Sequence, residues 1–161
     1  MSISNKIDWY QYHEDFDNVT GYKEYKMLNC YDHYLSNEEA EKIIDYPSVK
    51  NGDIKLNDYL IFQSRVESFF EKLFDLKNIF VFNPKSKSLL KRNKVRYMNY
   101  VRSACQETKE FIFVLPDEKI VIESTYDLMF VVIFYSDVPN WINELTEVSG
   151  LFLLSGKKRS G

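Results

Sequence analysis

An α+β fold, with a mostly antiparallel sheet packed by helices in a single domain, is predicted for this 161-residue chain by three observations. Residues 57–76 repeat apolar side chains at helical spacing. Residues 111–123 form two apolar runs joined by Pro116-Asp-Glu-Lys119, the pattern of a β-hairpin. Residues 128–135 are apolar throughout, which suits a central strand buried on both faces. The length fits one domain with a real core. Residues 1–154 are read as that domain, and residues 155–161 as a loose, disordered basic tail.

Each element has a local reason. Residues 21–34 open with a half-buried strand, Tyr22-Lys-Glu-Tyr-Lys-Met-Leu-Asn-Cys-Tyr31. Ser36-Asn-Glu-Glu39 is a capping box, in which the hydroxyl caps the first turn and Glu39 reaches back to the Ser36 amide. A short helix should follow to about Asp45, stopped by Pro47 and the Asn51-Gly52 turn. In the long helix Tyr59, Phe62, Val66, Phe69, Phe70, Leu73 and Phe74 share a face, with charged residues elsewhere. Ile79–Phe82 reads as a buried strand ended by Asn83-Pro84. From about Ser88, the spacing of Leu90, Tyr97, Val101 and Ala104 favours a helix, with a strand over Val95–Val101 as the alternative. After the hairpin and the central strand, Asp137-Val-Pro139 opens a last helix with Trp141, Ile142, Leu145 and Val148 inward and Gly150 as its stop. Leu151–Leu154 forms a final short strand.

Composition is that of an ordinary globular protein, 45% apolar and 28% charged. The sequence pI of about 5.5 argues against a general nucleic-acid-binding protein. The first residues lack the apolar core of a secretory signal, and the longest apolar run is far short of a membrane span, so a cytoplasmic location and no membrane partner are expected. Two cysteines, Cys30 and Cys105, are too few for a disulfide scaffold.

A net charge of -3 hides two fields of opposite sign. Between Asn78 and Gln106 stand seven basic residues (Lys85, Lys87, Lys91, Arg92, Lys94, Arg96 and Arg102) and no carboxylate. Between Asp8 and Asp58, twelve carboxylates face five lysines. Segregation of this kind steers charged partners and says little about fold. The basic block fits a solvated helix face, an acidic protein partner, or nucleic acid with Tyr97 and Tyr100 available for stacking. On the acidic side Glu14, Asp15 and Asp17 stand beside Trp9, Tyr10 and Tyr12, a combination of charges and aromatic anchors suited to a cationic partner surface.

The chemical motifs are all incomplete. Gly150 to Lys158 has one residue too many for a phosphate-binding loop and Lys where the magnesium-binding hydroxyl belongs. Cys30-x-x-His33 has ligand spacing without the second pair that zinc requires. Pro116-Asp117 followed by Glu123 resembles a metal-dependent nuclease centre, but the required lysine is missing after Glu123. The expectation is therefore no catalytic set, no metal and no cofactor.

In overall character the chain resembles the small immunity proteins of bacterial contact-dependent growth inhibition and other polymorphic toxin systems. The likeness lies in an acidic single domain of this size, rich in Tyr, Phe, Asn, Ile and Lys, and in the aromatic-acidic segment Asp8-Trp-Tyr-Gln-Tyr-His-Glu-Asp-Phe-Asp17. It implies a non-enzymatic toxin inhibitor that binds one cognate toxin domain, often a nuclease, through protein–protein contacts and covers its active site. The alternative is a small nucleic-acid-binding regulator that uses residues 85–102, with Lys91, Arg92, Lys94, Arg96 and Arg102 as its patch.

Overall fold

The computed structural model describes residues 21–34, 36–40, 56–83, 85–86, 88–106, 109–125 and 128–156. Among the described residues seven strands form one sheet: β1 (Glu24–Asn29), β2 (Phe80–Asn83), β3 (Ser88–Leu90), β4 (Ile112–Leu115), β5 (Ile120–Ser124), β6 (Phe130–Phe134) and β7 (Phe152–Ser155). Helical segments are α1 (Asn37–Ala40), α2 (Leu56–Leu76), α3 (Lys94–Cys105) and α4 (Asn140–Val148). The strand order is β3-β2-β4-β5-β6-β1-β7, and every neighbouring pair is antiparallel. The α+β architecture read from the sequence is the one observed.

The hairpin forms as predicted, with Leu115 opposite Ile120 and a four-residue connection that ends on Lys119 at positive φ. β6 is central, paired with β5 on one side and β1 on the other. Alternation along these strands divides the sheet into two apolar faces. On one, Phe113, Ile122, Phe130 and Val132 join Phe70 of α2, Tyr97 of α3 and Ile142 of α4 in the main core. On the other, Phe80, Val114, Val121, Val131 and Ile133 are buried with no described helix contributing.

Local signals account for the helix ends. Ser36 and Glu39 form the reciprocal capping box, each backbone N–H donating to the other side chain at 3.1 Å. Asn93 caps α3 by accepting from the Arg96 amide at 2.9 Å. Gly150, at φ +73, closes α4 with paired bonds from Gly150 N to Glu147 O and from Leu151 N to Thr146 O, both 3.0 Å.

Two expectations need correction. Ser88–Leu90 is a strand on the sheet edge, and the helix begins only at Lys94, because Asn93 supplies the cap and the preceding residues pair with β2. The favoured helix therefore holds over 94–105, and the alternative strand reading of Val95–Val101 does not. Val148, expected inward, is 69% exposed. The buried face of α4 is Ile142, Leu145 and Thr146, whose hydroxyl satisfies itself on Ile142 O at 2.6 Å. The continuation of the first short helix towards Asp45 lies outside the described residues, as do residues 157–161 of the 155–161 tail, whose Ser155 ends β7 and whose Gly156 N donates to Tyr25 O at 3.0 Å.

Candidate functional site

Trp9, Tyr10, Tyr12, Glu14, Asp15 and Asp17 also lie outside the described residues. The basic block is described, and its surroundings change its meaning. α2 carries Glu67, Glu71 and Asp75 at four-residue intervals, which places them along one stripe of the helix. α3 packs antiparallel to that stripe. Arg102 Nε donates to Glu67 Oε1 at 2.6 Å, and Lys94 reaches Asp75 Oδ1 at 3.0 Å and Glu71 Oε1 at 3.5 Å. The hydrogen bond to Asp75, aided by the nearby carboxylate charges, holds the Lys94 ammonium above its ordinary pKa. A block that is carboxylate-free in sequence thus acquires three carboxylates in space.

The other cations differ among themselves. Lys91 donates to Asn78 Oδ1 at 2.9 Å and Ile79 O at 3.3 Å, and sits over the rings of Phe74 and Phe80 at 5.4 and 5.3 Å. Partial burial lowers its pKa. Arg92 has its Nε buried without a hydrogen-bond partner. Arg96 is exposed on the first turn of α3. Tyr97 is unavailable for stacking on a nucleobase: it is 1% exposed and its hydroxyl donates to Phe70 O at 2.8 Å. Tyr100 packs its ring on Phe111 at 5.1 Å.

The incomplete chemical motifs do not converge in space. Cys30 is buried in the core, and burial pushes its thiol up to about 12. His33 is exposed, bridging Asp32 at 2.6 Å and Glu39 at 2.8 Å. Those two carboxylate bonds raise the His33 pKa, and the ring ties the turn after β1 to the start of α1. Asp117 is exposed in the hairpin turn, whereas Glu123 pairs with Ile112 at the far end of the same hairpin. Among the described residues no group of three or more His, Cys, Asp or Glu is placed to hold a metal ion, and no helix is long and apolar enough to cross a membrane.

Two features were not expected from the sequence: the burial of Glu123, considered there only as part of an incomplete metal motif, and a groove beside the last strand. Glu123 shares with Val121 the face of the sheet to which no described helix contributes, and its Oε1 is buried with no hydrogen-bond partner. Burial, with the Glu110 charge adding to it, raises its pKa to about 7. Its position in an alternating strand was legible, but the burial of that face was not. The second feature is a groove between α4 and the outer edge of β7, lined by Asn143, Thr146, Glu147, Leu151, Phe152 and Leu153. Phe152, at its rim, is 40% exposed on the edge strand, and nothing in the sequence pattern marks the groove. Comparison of the chain with protein-family models, with curated proteins and with solved structures gave no match in any of the three.

Proposed function

We propose that the protein is a non-enzymatic cytoplasmic binding protein, an immunity protein that neutralises a cognate toxin domain by covering its active site. The observation that carries this preference over a nucleic-acid regulator is the set of ion pairs between α2 and α3. A nucleic-acid surface needs cations free to displace counterions from phosphate. Here Lys94 and Arg102 are already engaged by Glu67, Glu71 and Asp75, and Tyr97 is committed to the core. The acidic bias of the first third of the chain is the better candidate for a steering field. A toxin acting on nucleic acid presents a positive cleft, and carboxylates opposite it raise association rate and specificity. On this reading Glu14, Asp15 and Asp17 supply the charge, and Trp9, Tyr10 and Tyr12 supply the anchors.

The test is binding to the C-terminal domain encoded by the gene immediately upstream, measured for two charge-reversed variants. Asp15→Lys with Asp17→Lys should slow association by about tenfold and steepen with falling salt, while Arg92→Glu with Arg96→Glu should leave affinity unchanged. The opposite pattern, or sequence-specific binding to DNA or RNA that persists near physiological salt, would sink this reading.

A further inference from the structure

Sheet edges expose unpaired backbone groups, and proteins protect them in different ways. The two edges of this sheet are unlike. β3 is three residues long and is followed directly by Lys91 and Arg92. β7 carries no charge at all along Phe152-Leu-Leu-Ser155. Gly156 N donates to Tyr25 O at 3.0 Å, so strand alternation turns the backbone groups of residues 152, 154 and 156 towards β1 and those of Leu153 and Ser155 outward. Tyr34 Oη donates to the Ser155 carbonyl at 2.5 Å. Leu153 N–H, Leu153 C=O and Ser155 N–H are left with no partner among the described residues.

The groove beside these groups has a definite charge. α4 contributes Glu144 and Glu147 and no basic residue, and Glu147 lines the groove without an ion pair among the described residues. The nearest cation along the strands, Lys26, is held by Glu24 at 3.6 Å and Ser155 Oγ at 3.4 Å. Arg65 lies at the Gly150 end, with its guanidinium over the Phe62 ring. An added strand would set one row of side chains into the groove against Leu153 and Glu147, and the other row beside Phe152 on the opposite face.

Resting on the reading of the protein as a toxin-binding partner, we infer that β7 receives an extended strand of the toxin domain, with a basic side chain at Glu147 and an apolar one against Phe152. Main-chain bonds give such strand addition its affinity, and the alternate pockets give it specificity. A second copy of this chain on the same edge would bring a second pair of α4 carboxylates to the same groove, so charge favours a cationic partner over self-pairing.

The experiment is hydrogen exchange and affinity measurement on the full chain with the domain encoded immediately upstream. Binding should protect the Leu153 and Ser155 amides from exchange at least about tenfold. Glu147→Lys and Phe152→Ser, both at exposed positions, should each weaken affinity by about tenfold while the unbound chain stays folded. A tight complex in which those two amides exchange freely, or in which both variants bind normally, overturns this surface while leaving the toxin-binding reading intact. A stable dimer of the unbound chain with the two amides already protected assigns the edge to self-pairing and also overturns it. The absence of any complex overturns both.

Discussion

The helix-covered face of the sheet and its opposite face are both apolar, yet they treat polar groups differently. On the helix side Phe70 stacks against Phe113 and Phe130 at 5.1 and 4.9 Å, and Tyr97 meets Phe113 edge-on at 5.7 Å. The tyrosine hydroxyls buried there are spent on backbone carbonyls, Tyr97 on Phe70 and Tyr59 on Cys105. The opposite face is mainly aliphatic, with Val114, Val121, Val131 and Ile133, and it encloses one oxygen of Glu123 without a partner. The difference teaches that burial by itself does not make a core strong. A hydroxyl that finds a carbonyl is nearly neutral in cost, whereas a carboxylate with one oxygen buried beside apolar side chains is held at the expense of stability unless it keeps its proton.

Truncation on the helix side tests the first half of that contrast. Phe70→Ala removes a ring shared by α2, β4 and β6, and should destabilise the domain by about 3–5 kcal/mol in denaturant unfolding. A loss under about 1 kcal/mol would mean that the aromatic cluster is not the centre of the core.

Protonation of Glu123 tests the second half. The folded carboxyl keeps its proton to about pH 7, whereas the unfolded one releases it in the ordinary carboxylate range. Folding therefore favours proton binding, so stability falls as pH rises between those two points and levels off above about 7. The effect should amount to no more than about 3 kcal/mol. Glu123→Gln should flatten the profile and make the variant the more stable protein at pH 8. Parallel melting profiles for the two proteins across that window would refute the assignment.

The smallest expected effect belongs to the α2–α3 ion pairs, which lie at the solvent boundary. Removing Glu67 or Arg102 should cost about 0.5 kcal/mol, and a double-mutant cycle should return a coupling below about 1 kcal/mol that shrinks in salt. A much larger coupling would show that the charged seam helps set the packing of α2 on α3, as the aromatic face does.

Much of this architecture was legible residue by residue. The capping box at Ser36 and Glu39, the seven-residue apolar stripe of α2, the Pro116–Lys119 turn and the all-apolar β6 each declare themselves within a few positions, because capping, helical period and turn chemistry are local. The block after Ser88 was harder. Its apolar residues match helical spacing as far back as Leu90, and only the Asn93 side chain marks where the helix starts. Val148 misled for a related reason: α4 ends at that residue, and Thr146 takes the inward place by bonding its own helix.

Interactions between distant segments were settled by tertiary contact alone. Glu67, Glu71 and Asp75 form a visible stripe, and Lys94 and Arg102 stand visibly eight residues apart, but no local rule says that the two helices lie side by side. The sequence shows a basic field there, and the fold neutralises part of it by pairing Lys94 and Arg102 with those carboxylates. β1 likewise enters between β6 and β7, which leaves β7 at the edge of the sheet, its outward amides and the Glu147 groove uncovered by any described residue. Side-chain pattern sets each element because its cause lies within one or two turns. Pairing across the chain is decided by which apolar faces can be buried together, and that choice determines which charges are neutralised and which backbone groups remain open.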